Sequence, residues 1–357
     1  MRRTWQRQPL LIRSALRDFE PPIDRKRLFE LARDPYAESR LITLSRGRRS
    51  LQHGPFRRLP SLQQARWTLL VQGVDLLDER ARDLLSRFRF ISDARLDDLM
   101  VSFATDGGGV GPHVDSYDVF LLQAFGRRRW RVSRQRQLRA AASPISNVEG
   151  FRASTEWVLE AGDMVYLPPG VPHEGVALGS GITYSIGFRA PEFMQLIEPW
   201  FADYAERVNL RGRYSDPGAL ATAHPAALPS SMTTQVHAEL ARHQPGPVDT
   251  QRFLLRHLSE PKPTTVFEVP AKRSSSSQFQ RLAAEHGLGL NRKTRMLYAH
   301  SAIGINGELV VPARGAIATL RALADQRSLS AQQTRRAPAS AWPLLHAWHS
   351  AGWIVVN

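Results

Sequence analysis

Residues 107–120 read GGGVGPHVDSYDVF, and their reading decides the fold. His113 and Asp115 stand one residue apart behind three glycines. In a strand beginning near Pro112, alternate residues share a face, so an imidazole and a carboxylate would project together. Alone, the pair fits a metal site or an ordinary polar pair at a strand start. A second stretch, GDMVYLPPGVPH at 162–173, bears on the choice. Its Pro and Gly at 168–170 turn the chain tightly, which would return His173 from a neighbouring strand opposite the first pair.

Composition narrows the chemistry further. The chain has 357 residues and no cysteine, so disulfides, thiolate ligands and cysteine nucleophiles are excluded. Any metal must sit on His, Asp, Glu or water. Two imidazoles and one carboxylate leave the opposite face of an octahedral metal open, the arrangement of non-haem Fe(II) sites that handle O2. Hydrophobic residues make up 42% and charged residues 23%, near the average for globular proteins and unlike a disordered chain. No run of about 18 apolar residues is present, and the basic start MRRTWQRQPLLIRSALRDFE lacks an uninterrupted apolar segment. The expectation is a cytoplasmic protein with no membrane partner.

A net charge of +15 points to a polyanionic partner by itself. The charge is unevenly spread, however: residues 151–200 carry a net −4 and residues 261–357 a net +8. Charge alone leaves nucleic-acid contact and simple compositional bias equally open.

From about 98 to 190 the texture is short and β-rich: LMVSFAT, YDVFLLQAF, RRRWRVS, EWVLEAG, DMVYLPP and ITYSIGFRA. Short strands at regular spacing indicate an antiparallel sandwich or barrel. Helical periodicity appears in 27–42 and 62–88, the latter with a strand expected over 67–74. Helices are also expected after Pro191 and before Pro261-Lys262-Pro263, a linker-like break. Residues 264–357 then read as helices around a hairpin centred on Asn306-Gly307, with the texture of a winged helix. Among the three arginines at 127–129, alternation turns Arg128 opposite to its neighbours. That orientation suits a guanidinium anchoring a carboxylate inside the barrel. Trp130 and Trp157 are read as barrel core, and His346 and His349, three apart on a helix, as packing residues.

The glycine, five residues, His113, any residue, Asp115 pattern and the later Pro-x-Gly-x-x-His173 pattern resemble the two motifs of the cupin superfamily, a double-stranded β-helix. The longer stretches GGGVGPHVDSYDVFLLQAFGRRRWRV, LPPGVPHEGVAL, YSIGFRAP and FADY resemble the bacterial JmjC-type ribosomal oxygenases over nearly the whole chain. The resemblance implies a mainly β cupin/JmjC catalytic domain at 1–205 with its core at about 95–190. A helical dimerisation region at 206–260 and an α+β winged-helix domain at 261–357 would follow. It implies Fe(II) on His113, Asp115 and His173, with 2-oxoglutarate and O2 as co-substrates and the 2-oxoglutarate carboxylate on Arg128 with help from Ser102. The implied reaction is hydroxylation of an arginine of a large-subunit ribosomal protein by a homodimer. Asp118, with Ser116 and Tyr117, is the expected contact for a substrate guanidinium at the mouth. Two other readings stand beside it. One is a JmjC oxygenase acting on His, Asn or methylated Lys; the other is a nucleic-acid-binding winged-helix protein whose barrel is structural. Gly107, Gly108, Gly109 and Gly111 are expected to let backbone approach closely at the barrel mouth.

Overall fold

The short strands expected between 98 and 190 are resolved in a computed structural model, which describes residues 3–16, 19–135, 138–140, 148–208, 211–271 and 274–357. The chain divides into two units, Met1–Pro191 and Glu192–Asn357. The first contains β1 (Leu10–Ile12), α1 (Arg25–Leu31), β2 (Ser39–Ser45), β3 (Arg48–His53), β4 (Trp67–Val71), α2 (Glu79–Ser86) and β5 (Leu96–Ala104). After these come β6 (Asp118–Val132), β7 (Arg139–Ala140), β8 (Val148–Glu149), β9 (Thr155–Leu159), β10 (Met164–Leu167) and β11 (His173–Phe188). Helix is thus a small part of 27–42 and 62–88. The apolar runs there enter the sheet instead, and every residue of β4 is buried.

The main sheet is antiparallel in the order β1-β10-β6-β11-β5-β4-β2-β3, with β9 also pairing β6. Two long strands organise it. The first half of β6 pairs β10 and the second half of β11, whereas its second half pairs β9 and the first half of β11. The register between β6 and β11 shifts between Leu178 and Ile182. Gly126, at φ 68°, makes that bend possible: a Cβ there would stand 2.2 Å from the Ser180 carbonyl oxygen. Bent in this way, the two strands close the double-stranded β-helix. One apolar cluster fills the space behind the sheet around Trp67, Phe103, Phe120 and Tyr184. A second, around Val119, Leu121, Trp130 and Val165, lies on the other side of β6.

The second unit contains α3 (Phe193–Arg207), α4 (Ser230–Arg242), α5 (Pro247–Ser259), α6 (Ser276–His286), α7 (Ile317–Gln326), α8 (Ala331–Arg335) and α9 (Trp342–Ser350). Its strands are β12 (Leu288–Leu290), β13 (Met296–Ala299), β14 (Ala302–Ile305), β15 (Glu308–Val310), β16 (Ser328–Leu329) and β17 (Ile354–Val356). The expected hairpin has a third strand. Asn306 and Gly307, both at positive φ, turn β14 into β15 as such a pair should, while β13 joins β14 through His300 and Ser301. His349 stacks on Phe279 at 4.7 Å, and a His346 ring nitrogen bonds the Ser274 carbonyl at 3.0 Å. Both histidines are therefore occupied in packing. No helix among the described residues is long and apolar enough to cross a membrane.

Asp118 corrects one expectation. It is 0% exposed and lies away from the mouth. Its carboxylate accepts from Arg95 Nη2 (2.9 Å), Gln6 Nε2 (2.9 Å) and the Tyr166 hydroxyl (2.5 Å). Trp5 stacks on Tyr166 at 5.3 Å, so this carboxylate fastens the N-terminal segment to the start of β6. Removing one partner of a buried ion pair strands the other. Asp118→Ala should therefore cost about 3 kcal/mol, read as a lower urea midpoint at unchanged slope.

Candidate active site

The two motifs meet through their backbones. The His113 N–H donates to the His173 carbonyl and the His173 N–H to the His113 carbonyl, each at 2.9 Å, as an isolated antiparallel bridge. The rings therefore project side by side, with centroids 4.2 Å apart. The turn at Gly170 is fixed by its own N–H, which donates to the Asp115 carbonyl at 2.8 Å. Asp115 then places one carboxylate oxygen 3.8 Å from His113 Nε2 and the other 3.6 Å from His173 Nε2.

The donor chemistry of this trio suits a divalent metal. Each ring donates its Nδ1 proton to a carbonyl, His113 to Gly111 and His173 to Val171, both at 2.9 Å. Those bonds fix the tautomer and leave both Nε2 lone pairs for a ligand. One ligand atom from each residue lies within 4.8 Å of the others. Burial, and then the neighbouring His113, push the His173 pKa down to about 4. His173 is consequently neutral at physiological pH, the form that binds metal.

The trio opens into a cavity of about 380 Å³ whose wall also holds Arg128. Alternation in β6 places Arg128 inward at 5% exposure, while Arg127 is exposed and Arg129 half-buried. Its Nη1 donates to Ser102 Oγ at 3.3 Å and to Thr183 Oγ1 at 3.0 Å, and its guanidinium lies 5.3 Å from the Trp130 ring centre. Among the described residues no carboxylate pairs with it, and its Nε has no partner. Desolvation lowers its pKa to about 10, so it remains charged at neutral pH. A buried guanidinium left without a counter-charge is costly unless a ligand supplies one. The cavity therefore combines a buried guanidinium suited to an anion with a trio suited to a metal.

Other positions fall into place around this axis. Ser116 and Tyr117 line the cavity, as do Ser185 and Met100 on the neighbouring strands. Burial, Asp115 and Asp98 together hold the Tyr117 phenol well above its usual range, so it stays a neutral hydroxyl. Trp130, read as core, is buried but also forms cavity wall. Thr183, beside Arg128, joins the residues expected from the motifs; alternation along ITYSIGF, with Ser185 on the same face, carries its signal. The glycines pack against the protein itself. A Cβ at Gly109 would meet the Gly175 carbonyl oxygen at 2.3 Å, and one at Gly111 the Arg49 guanidinium at 2.6 Å. The close approach is thus between this loop and its own sheet.

Comparison with known proteins follows the same lines. The JmjC domain profile matches residues 83–196 and the ROXA-like winged helix profile residues 238–354. The chain is 43% identical over 236 residues to the ribosomal protein uL16 3-hydroxylase of Escherichia coli, covering 65% of this chain and 63% of that curated relative's length. The solved structure of E. coli YcfD superposes with a TM-score of 0.90 at 32% identity, covering 100% of this chain and 96% of that one. The chain belongs to the JmjC-type ribosomal oxygenases. A further structure of that E. coli ribosomal oxygenase, in complex with cobalt and 2-oxoglutarate, has a TM-score of 0.86 at 32% identity and covers 99% of this chain and 96% of that one.

Within this ribosomal oxygenase fold, Gly175 sets the position of Arg128. A Cβ at Gly175 would stand 2.7 Å from the Trp130 ring and 2.9 Å from Arg128 Nε. Gly175→Ala should cost about 1–3 kcal/mol of stability through overpacking. It should also weaken binding of a dicarboxylate ligand, measured by calorimetry on the folded variant.

Proposed function

We propose that this protein is an Fe(II)- and 2-oxoglutarate-dependent oxygenase that hydroxylates an arginine side chain of a large-subunit ribosomal protein. The observation that carries the reading is Arg128, a buried guanidinium with no carboxylate partner, facing His113, Asp115 and His173 across one cavity. A barrel with only a structural role gains nothing from an uncompensated buried charge beside three converging ligands. That argues against the binding-module reading. The target is supported by the curated relative, whose name is ribosomal protein uL16 3-hydroxylase.

In this reading His113, Asp115 and His173 hold Fe(II). When bound, the metal and 2-oxoglutarate supply the oxidation, in which O2 is consumed, 2-oxoglutarate leaves as succinate and CO2, and one oxygen atom enters a substrate C–H bond. The chain's own residues do the rest. Arg128 takes the remote carboxylate of 2-oxoglutarate. Ser102 and Thr183 hold its Nη1, and Thr183 is in turn held by donating to Gln123 Oε1 at 2.9 Å. Val110, Val119, Leu121 and Trp130 in the cavity wall limit water near the ligands. Tyr117 and Ser116 at the opening meet the target side chain. With Asp118 committed elsewhere, no carboxylate other than Asp115 lines the cavity among the described residues. Hydroxyl groups are therefore assigned that contact.

The quaternary arrangement is part of the proposal. The α3 helix exposes Phe193 (82%) together with Met194, Ile197 and Phe201, an apolar face leading into 206–260 that suits a homodimer built on this helix and the helical segment after it. A ribosomal target also fits the cytoplasmic location expected above.

Succinate formation with a ribosomal-protein fragment should require added iron and vanish in His113→Ala. Arg128→Met should raise the KM for 2-oxoglutarate by about 10- to 100-fold, the equivalent of a charged hydrogen bond worth about 1.5–3 kcal/mol. Mass spectrometry of ribosomal proteins from cells with and without the gene should locate one added oxygen on arginine. If the wild-type protein forms no succinate with any ribosomal protein, this reading fails.

A further inference from the structure

Between Ser39 and Val74 the chain carries seven arginines and no Asp or Glu. This acid-free segment forms β2, β3 and the stretch that leads into β4. Strand β3 is the edge of the main sheet, and Leu51 on it and Ile42 on β2 line the cavity. The segment is thus the rim of the site. Arg46 and Arg48 flank the turn at one end of β3, and Arg57 and Arg58 follow its other end. Arg66 lies over the first glycine of 107–120, with its Cγ 3.1 Å from where Gly107 would carry a Cβ. These five arginines are exposed, and among the described residues none pairs with a carboxylate. Arg49 differs, reaching Glu174 at 3.9 Å. The nearby Asp106 accepts from the Gly179 N–H at 2.7 Å.

Charge on an edge strand discourages edge-to-edge pairing, which accounts for Arg48. It does not account for Arg57, Arg58 and Arg66, which lie off the strand. A cluster of guanidinium groups without acids repels itself and attracts polyanions, and Arg suits phosphate in particular because its fork binds two oxygens at once. It also repels a cationic peptide. On the function proposed above the target is an arginine-bearing segment of a ribosomal protein, so the rim and the target have the same sign. RNA bound to that target would remove the conflict.

We propose that the β3 edge and residues 54–66 dock the phosphate backbone of RNA beside the cavity, so that the enzyme meets its protein target in an RNA-bound state. The RNA contact stands on the charge pattern alone, and only its purpose rests on the proposed hydroxylation. The winged-helix segment is the competing basic surface, but its arginines are interspersed with Glu268, Glu285, Glu308 and Asp325.

The test uses the full chain and a short labelled ribosomal RNA hairpin, followed by fluorescence anisotropy across a salt series. Three proteins are compared: wild type, the edge variant Arg48→Glu/Arg57→Glu/Arg58→Glu, and the control Arg292→Glu/Arg335→Glu/Arg336→Glu. Circular dichroism melts check that each is folded. Wild type should bind with a strongly negative log–log salt slope. The edge variant should lose at least about tenfold in affinity and about two units of slope, since each phosphate contact contributes about 0.7–0.9. Turnover on a free peptide should persist in the edge variant, because none of its altered residues lines the cavity. Unchanged RNA affinity in the edge variant, or loss confined to the control, would overturn the proposal. RNA binding without turnover in wild type would instead count against the hydroxylase reading and leave the docking surface standing.

Discussion

Two reciprocal backbone hydrogen bonds between His113 and His173 hold the centre of this protein together. They join segments sixty residues apart in sequence into one antiparallel bridge, which fixes the spacing of the two imidazoles before any ligand is considered. Everything else is arranged to keep that bridge in place. The bend at Gly126 lets β11 pair β6 along both halves, so that His173 lies opposite Val132 and Gly175 opposite Trp130. The 170 turn is tied to Asp115. Preorganisation here comes from backbone pairing, which costs less to hold than side-chain contacts among long flexible groups.

Electrostatics supplies the second constraint. The cavity holds two histidines, of which the buried His173 is held neutral, a carboxylate and a desolvated guanidinium, and no internal pairing satisfies all of them. Arg128 has hydroxyl partners on Ser102 and Thr183 but no opposite charge. Such an arrangement is poor for stability in isolation and favourable for binding an anion, since an entering carboxylate regains much of the lost solvation. The pocket is thus shaped as much by what it lacks as by what it contains.

Much of the site was legible because the chemistry recurs at fixed spacing. Strand alternation pairs His113 with Asp115, and the Pro-x-Gly turn announces His173. Alternation also turns Arg128 inward while leaving Arg127 out. The remaining contacts depend on partners far away in sequence. Thr183 matters because β11 brings it beside Arg128, and nothing in ITYSIGF names that neighbour. Asp118 departs from expectation for a different reason. Its partners Arg95, Gln6 and Tyr166 were invisible, yet the alternation that pairs 113 with 115 already assigned 118 to the other face. The glycines do give close approach, but to the loop's own sheet and Arg49. A run of small residues says that something comes near without saying what.

From Tyr117 onward, β6 and its approach carry two interleaved messages. Tyr117, Val119 and Leu121 line the cavity, while Asp118, Phe120 and Leu122 belong to the buried network and core on the opposite side. One set writes the reaction chamber and the other the scaffold, residue by residue along the same stretch of about 17 Å of chain. Substitutions can revise either message separately. Gain or loss of a single residue there exchanges the two, presenting scaffold side chains to the chamber and chamber side chains to the scaffold. The stretch is therefore open to change in its letters and closed to change in its length.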